Sequence, residues 1–260
     1  MTEPQRARVP DYEARRTEAM RILPALMRNP LSAAGVACSV CAAPIDPHEK
    51  LCWRCLGQRQ QWGDQLADII VPLTYAGARN RQAMQDLWQY KNSDVPQVRQ
   101  LALYRLSHLS WWAVVHHAQC LDRLAGPVTA LTTVPSGHAG ARVDGHPIER
   151  LAIHPRPLVR VHLVRTRDAA ARDIDPDSLQ LTGRVRGQHV LLVDDTWTTG
   201  ASTQGAAIAL RRAGAARVSV LVLGRWLNDG WPPTQRFQQS RPDGELWDPS
   251  VCPVTRDSCP

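Results

Sequence analysis

The chain has 260 residues and a formal net charge of +7 at pH 7, with 43% hydrophobic and 21% charged residues. This length and composition are ordinary for a globular protein with one sizeable α/β core and a small attached module. No apolar run approaches the length of a membrane span, and acids near the start argue against a signal peptide, so we expect a cytoplasmic protein without a membrane partner. The positive charge favours phosphate-bearing ligands, but the basic residues form no run of the kind that predicts direct nucleic-acid binding.

Residues 1–37 are predicted to form a basic N-terminal tail with a helix around Tyr12–Met27. Two Cys-x2-Cys pairs follow within residues 38–66, and their spacing is typical of zinc held by four thiolates. The predicted ligands are Cys38, Cys41, Cys52 and Cys55. Two disulfides or free buried thiols are the alternatives, but disulfides are uncommon in intracellular proteins. Four protein ligands leave no open coordination position, so the predicted Zn²⁺ is structural.

Residues 67–225 alternate between apolar, β-rich runs and helical patterns. The predicted strands are Ile69–Tyr75, Thr129–Val134, Leu158–Val164, Val190–Val193 and Arg217–Leu223. The predicted helices are Asn80–Tyr90, Val98–Leu124, one that begins within Pro147–Ile153, and Ser202–Arg212. This alternation predicts an α/β fold, a parallel sheet with helices on both faces. The charged stretch Thr166–Arg186 is expected to be flexible, and residues 226–260 are expected to form an irregular C-terminal tail.

The strongest functional pattern is a strand followed by two acids and a loop of small residues. The apolar run Val190–Val193 predicts a buried strand, and Asp194 and Asp195 follow at its C-terminal end, where open α/β sheets bind ligands. The segment Thr198–Thr203 then places hydroxyl and N–H groups at the start of a helix, where the helix dipole favours a phosphate. Gly200 permits a left-handed backbone there. An ordinary helix cap is the alternative, but a cap requires neither paired acids nor consecutive threonines.

This pattern resembles the phosphoribosyl-diphosphate (PRPP) motif of type I phosphoribosyltransferases: an apolar strand, two acids, two variable residues and Thr-Thr-Gly-x-Ser/Thr. With the cysteine pairs, the chain resembles the ComF family, named for its link to DNA uptake in natural competence. In that family a zinc ribbon precedes a type I phosphoribosyltransferase domain. The segment from Leu73 to Lys91 is similar to the family's strand, Tyr/small/Gly turn and helix that closes on a Tyr-Lys pair. The segment from Val134 to His146 lies where the family has its pyrophosphate loop.

The resemblance implies a role for each matching residue. Asp194 and Asp195 would be catalytic and would hold ribose hydroxyls or Mg²⁺. The 5′-phosphate of PRPP, or of a similar ribose 5-phosphate ligand, would bind Thr198, Thr199, Gly200, Ala201, Ser202 and Thr203. The pyrophosphate would face Pro135, Ser136, Gly137 and Arg142. The implied cofactors are structural Zn²⁺ and Mg²⁺ bound with PRPP, and the implied partners include DNA-uptake proteins.

Two functions stay open. One is Mg²⁺-dependent transfer of the phosphoribosyl group from PRPP to an unknown acceptor, with release of pyrophosphate. The other is a non-catalytic PRPP- or nucleotide-binding module that acts in DNA uptake or regulation through partners. The second draws on the weak match of the pyrophosphate loop and on Thr198, where purine-salvage relatives carry an aspartate general base. The loop lysine position of those relatives falls on Ala201. The segment that contains Arg165, Arg167 and Arg172 has two equally supported interpretations. It is a mobile lid over the pyrophosphate or a solvated linker.

Several residues outside these motifs have only coarse expectations. Trp197, between the acids and the threonines, is expected to pack rather than to contact the ribose. His116 and His117 are expected to be core or surface residues rather than metal ligands. Cys252 and Cys259 could be a partner-stabilising contact, a redox pair or bystanders, and the sequence does not separate these.

Overall fold

The computed structural model describes residues 11–77, 80–135, 147–168, 172–240 and 247–260. Its helices are α1 (Tyr12–Leu26), α2 (Trp53–Trp62), α3 (Arg81–Asn92), α4 (Pro96–Ala125), α5 (Ala201–Arg212) and α6 (Pro232–Ser240). Its strands are β1 (Ile69–Ala76), β2 (Ala130–Thr133), β3 (Val159–Arg160), β4 (His162–Arg165), β5 (Leu179–Thr182), β6 (His189–Trp197) and β7 (Arg217–Trp226). Short 3-10 helices lie at Gly63–Gln65, Pro147–Arg150 and Pro176–Ser178. None of the helices among these residues is both long and apolar enough to cross a membrane.

Five strands form one parallel sheet in the order β1-β7-β6-β2-β3. Its central strands are almost continuous apolar runs because helices cover both faces. Alternate side chains of β6 point to opposite sides. Leu191 and Val193 pack in a core with residues of α4, whereas Val190 and Leu192 pack in a core with residues of α5. The structure therefore confirms the predicted α/β class with helices on both faces of a parallel sheet.

The two ends of the described chain both lie against α4. Helix α1 forms where a helix was expected, and its buried side chains Tyr12, Ala19 and Leu23 recur at helical spacing and belong to the α4 core. From the other end, Trp247 packs edge-on against Trp112 of α4, with ring centroids 5.3 Å apart. The sheet face under α4 is thus closed by segments from opposite ends of the sequence.

The chain between β2 and β6 corrects two expectations. The single strand predicted over Leu158–Val164 is two strands, because β3 extends the parallel sheet while β4 pairs antiparallel with β5. Strand β5 lies within the stretch that was expected to be flexible. Its apolar residues Leu179 and Leu181 alternate with polar ones, and this period of two suits a hairpin with one covered face. The surrounding charged residues hide that short pattern in the sequence.

Helix α6 lies in the segment for which the sequence predicts no regular element. It begins with two prolines, which are tolerated in the first turn of a helix because the N–H groups there have no intrahelical partner. Phe237 of α6 is buried and meets the ring of Tyr75 edge-on at 5.4 Å. This contact holds α6 against the C-terminal end of β1, on the edge of the sheet where the acidic pair also lies.

Candidate functional site at the C-terminal edge of the sheet

Asp194 and Asp195 lie near the C-terminal end of β6, and both are largely buried. The hydroxyl of Thr203 in α5 donates a short hydrogen bond to Oδ2 of Asp194. The backbone N–H of Asp195 donates to Oδ1 of Asp194 at 2.8 Å. These bonds tie the first acid to the start of α5, so the acid pair and the following loop form one continuous surface.

The two carboxylates have different electrostatic surroundings. Burial, followed by the neighbouring charge of Asp195, raises the pKa of Asp194 to about 7, although the Thr203 hydroxyl opposes this shift. Oδ2 of Asp195 instead accepts bonds from the Tyr90 hydroxyl and the Lys91 ammonium group, each at 2.5 Å. Burial and the Asp195 charge raise the pKa of Tyr90, so its hydroxyl stays protonated and keeps donating. One acid is therefore ion-paired, and the other has a pKa within the physiological pH range.

The loop after β6 turns through Gly200, which has φ of 80° and ψ of 3°. A Cβ atom there would lie 2.2 Å from the ring of Trp197, so both the conformation and the space require glycine. The Trp197 ring is buried beneath this turn, which confirms that it packs. The first N–H groups of α5 have no partner within the helix, and the exposed side chains of Thr198 and Ser202 flank them. The turn can therefore bind an anion.

Two side chains bind backbone carbonyls of this loop, and the sequence analysis identified neither of them. Arg225, buried at the end of β7, donates from Nη1 to the carbonyls of Trp197 at 2.9 Å and Thr198 at 3.2 Å. Gln58 of α2 donates to the carbonyl of Thr199 at 3.0 Å. Arg225 is the register partner of Trp197 in the sheet, but that pairing is invisible without the strand order. Tyr90 and Lys91 carried a signal, the Tyr-Lys pair, but no predicted role.

The four cysteines predicted to bind zinc come together as one buried cluster whose sulfur atoms all lie within 4.8 Å of one another. The sulfurs of Cys41 and Cys52 are 3.7 Å apart. Zinc–sulfur bonds of about 2.3 Å in a tetrahedron would place sulfurs about 3.8 Å apart, so the cluster fits Zn²⁺. The backbone N–H of Ala42 bonds the Cys38 carbonyl, and Ala42 has φ of 59°, which bends the chain around the first pair. We call these cysteines the ribbon cluster.

The ribbon cluster adjoins the loop after β6. Helix α2 begins at the residue after Cys52 and carries Gln58 about one and a half turns later, where it reaches the Thr199 carbonyl. Arg225 lies beside Cys41 as well as beneath the loop. The ribbon cluster and the turn after β6 are therefore connected through two side chains.

The remaining predicted site residues have different positions. Pro135 follows β2 at the same edge of the sheet as the acids, where the N–H of Val134 bonds the Val193 carbonyl at 2.9 Å. Ser136, Gly137 and Arg142 of the predicted pyrophosphate loop lie outside the described residues. Of the predicted lid arginines, Arg165 is buried and donates to Ser178 at 2.9 Å. Arg167 pairs with Asp175 at 2.7 Å, so both arginines contact the β4–β5 hairpin segment itself.

No protein-family model and no curated protein matches the chain. Among solved structures, it is similar to a phosphoribosylpyrophosphate synthetase from Mycobacterium smegmatis, with 17% identity over 56% of this chain and 42% of that one and a TM-score of 0.32. A hypoxanthine phosphoribosyltransferase from Staphylococcus aureus matches at 15% identity over 45% of this chain and 62% of that one, with a TM-score of 0.30. An orotate phosphoribosyltransferase from Mycobacterium tuberculosis H37Rv, in complex with PRPP, matches at 17% identity over 58% of this chain and 78% of that one, with a TM-score of 0.31. The chain spans less than two thirds of the length of the first two.

Proposed function

We propose that this chain binds PRPP with Mg²⁺ and transfers its phosphoribosyl group to an acceptor, with release of pyrophosphate. The observation that carries the proposal is the order of groups along one sheet edge: an acidic pair, a left-handed glycine turn and a helix start. The bond from Thr203 to Asp194 keeps these parts in contact. A small ligand could therefore place a phosphate at the helix start and its hydroxyls, or a bound metal ion, at the acidic pair.

The helix start would bind the 5′-phosphate. A phosphate needs several donors that converge on it, and the first turn of α5 supplies N–H groups at the positive end of the helix dipole. Thr198, Thr199 and Ser202 add hydroxyls, whereas the Thr203 hydroxyl already donates to Asp194. Gly200, Ala201 and Thr203 would contribute backbone N–H groups. Because Arg225 and Gln58 already bind the loop carbonyls, the turn is held in place before the ligand arrives.

The acids would bind the ribose hydroxyls and, with ligand oxygens, would hold Mg²⁺. Carboxylates suit this cation, which usually binds one or two of them together with substrate oxygens. When bound, Mg²⁺ would neutralise charge on the departing pyrophosphate. Tyr90 and Lys91 orient the Asp195 carboxylate by binding its Oδ2. The chain's contribution to breaking the C1–O bond would thus be positioning and charge stabilisation.

The ribbon cluster would hold structural Zn²⁺, since four cysteines close its coordination sphere. We propose residues 38–66 as a zinc-ribbon module and residues 67–225 as the phosphoribosyltransferase-like domain. Reduced thiolate ligands also fit the cytoplasmic location expected from the sequence. A role in DNA uptake rests only on the resemblance to the ComF family.

Replacement of both acids tests the site. We expect Asp194→Asn combined with Asp195→Asn to abolish PRPP binding in the presence of Mg²⁺, measured by titration calorimetry. Asp177→Asn is the matched control, because Asp177 is an exposed acid whose contact is the salt bridge to Arg212. If the double variant binds PRPP and Mg²⁺ like the unmodified protein, the carboxylates are structural and the proposal is wrong.

The non-catalytic alternative makes the same prediction for binding but not for turnover. Pyrophosphate release from PRPP, measured with a panel of nucleobases and amines as acceptors, separates the two. Release that depends on an acceptor and is lost in the double variant supports a transferase. Tight PRPP binding without release for any acceptor supports the binding module.

A further inference from the structure

We propose that the chain has a second structural zinc site, formed by His117, Cys120, Cys252 and Cys259. One ligand atom from each residue lies within 4.8 Å of the others. The group contains all three cysteines that lie outside the ribbon cluster among the described residues. We call this group the clamp cluster, because it joins α4 to the C-terminal segment.

The distances within the clamp cluster fit a tetrahedral metal ion. Nδ1 of His117 lies 3.6 Å from the sulfur of Cys259 and 3.9 Å from that of Cys120. Zinc–sulfur bonds of about 2.3 Å and zinc–nitrogen bonds of about 2.0–2.1 Å place nitrogen and sulfur ligands about 3.6 Å apart in a tetrahedron. Three thiolates and one imidazole complete a closed coordination sphere of the structural type.

Two different local structures bring the four ligands together. His117 and Cys120 are three residues apart on α4, so both project from the same face of the helix. Cys252 and Cys259 belong to a tight loop. The N–H of Arg256 bonds the Cys252 carbonyl, and the N–H of Cys252 bonds the Asp257 carbonyl, both at 2.7 Å. This loop returns the chain to α4, so that Cys252 and Cys259 lie next to His117 and Cys120.

Burial distinguishes this group from accidental neighbours. Cys120, Cys252 and His117 are each no more than 5% exposed, Cys259 is exposed, and one ligand atom from each of the four lies within 4.8 Å of the others. A disulfide between any two of the three thiols would leave the third thiol and the imidazole without a shared partner. A metal ion uses all four groups at once.

The neighbouring histidine provides an internal comparison. The sequence favours core or surface roles for both His116 and His117, but the structure separates them. The His116 ring stacks on Trp112 at 4.1 Å, as a packing residue does. His117, one position later, turns its Nδ1 towards the sulfurs instead. The proposal departs from the sequence expectation for His117 alone.

The clamp cluster is connected to the ribbon cluster. Arg256, in the loop between the two C-terminal cysteines, donates to the carbonyls of Cys38 at 3.1 Å and Ser39 at 2.5 Å. Zinc in the clamp cluster would therefore fix the loop that reaches the first cysteine knuckle. It would hold the C-terminal segment on α4 in a region with no other covalent or metal crosslink among the described residues.

Native mass spectrometry of the full-length protein, purified under reducing conditions in zinc-containing buffer, tests the proposal. We expect two zinc ions per chain. Cys252→Ser combined with Cys259→Ser should retain one, and Cys41→Ser combined with Cys52→Ser should also retain one. His117→Ala should lower occupancy to one zinc, whereas the matched variant His116→Ala should keep two.

The unmodified protein decides the matter even if a variant fails to fold. X-ray absorption should show seven sulfur ligands and one nitrogen ligand for every two zinc ions, the sum of the two clusters. A single zinc bound only by sulfur would overturn the second site. A mass lower by two hydrogens, with a disulfide mapped among Cys120, Cys252 and Cys259 in the reduced preparation, would overturn it as well.

Discussion

The ribbon cluster and the clamp cluster present similar ligands on opposite faces of the same sheet. The ribbon cysteines belong to the core that contains α5 and the even-numbered side chains of β6, whereas Cys120 and Cys252 belong to the core under α4. Gln58 and Arg225, which adjoin the ribbon cluster, bind carbonyls of the turn after β6. The clamp cluster joins α4 to the C-terminal segment, and Arg256 of its loop donates to the Cys38 carbonyl of the ribbon cluster. With zinc bound as proposed, similar ligand sets would support the proposed PRPP site on one face and close a core on the other.

The largest expected effect is a difference in PRPP affinity between variants of the two clusters. Cys41→Ser combined with Cys52→Ser should weaken PRPP affinity by about a hundredfold or more, because loss of the local fold removes support from the turn. Cys252→Ser combined with Cys259→Ser should change the affinity by no more than about threefold, or about 0.7 kcal/mol. Titration calorimetry of both variants measures the difference. Equal losses would mean that the two faces are not functionally distinct.

The next effect tests how strictly the turn itself is defined. Gly200→Ala should lower the free energy of unfolding by about 3 kcal/mol or more, because the left-handed conformation alone costs about 1–2 kcal/mol and the new Cβ meets Trp197. Gly187→Ala is the matched control, since Gly187 also has positive φ but nothing within 4 Å of a Cβ. It should lose only about 1–2 kcal/mol. Urea denaturation gives both values, and equal losses would show that the Trp197 contact is unimportant.

A smaller effect concerns pH. Since the pKa of Asp194 is raised to about 7 in the fold, this acid is largely protonated below that pH and ionised above it. Binding of PRPP with Mg²⁺ should therefore strengthen as pH rises from 6 to 8. The free energy of unfolding of the ligand-free protein should change in the opposite direction. Because folding raises the pKa of Asp194, the contribution of this acid to stability is complete at low pH and is lost as pH rises through 7.

Calorimetry across this range checks the pH prediction. The pH at which PRPP affinity is half-maximal should be the same in the variant with Cys252→Ser and Cys259→Ser, because the clamp cluster lies on the other face of the sheet. A midpoint unchanged by Thr203→Val would contradict the assignment to Asp194, since the Thr203 hydroxyl opposes the upward shift.

The smallest effect tests a single link between the ribbon cluster and the turn. Gln58→Ala removes the bond to the Thr199 carbonyl and should weaken PRPP binding by about two- to twelvefold, the range expected for one hydrogen bond of about 0.5–1.5 kcal/mol. Gln61→Ala, on the exposed side of the same helix, should leave affinity unchanged. If both variants bind equally well, α2 does not support the turn through this side chain.

Contiguous motifs carried most of what could be predicted about the candidate site. The order of β6, the acid pair, Gly200 and α5 is local, because each element follows directly from the preceding one. The strand needs only its apolar run, the turn needs only a residue that tolerates positive φ, and the helix start follows. The ribbon cluster is local for the same reason, since two closely spaced knuckles bring its ligands together.

The sequence by itself therefore determined the parallel α/β sheet, the position of the acidic pair and glycine turn, and the four cysteines of the ribbon cluster. Only the tertiary structure decided which distant side chains complete these groups. Tyr90 and Lys91 reach Asp195 across 105 and 104 positions of sequence, and Cys259 reaches His117 across 142. Such pairs leave no periodic pattern, because their proximity depends on strand order and helix packing rather than on spacing along the chain. The β4–β5 hairpin and α6 escaped prediction because short elements become stable only against the core they cover.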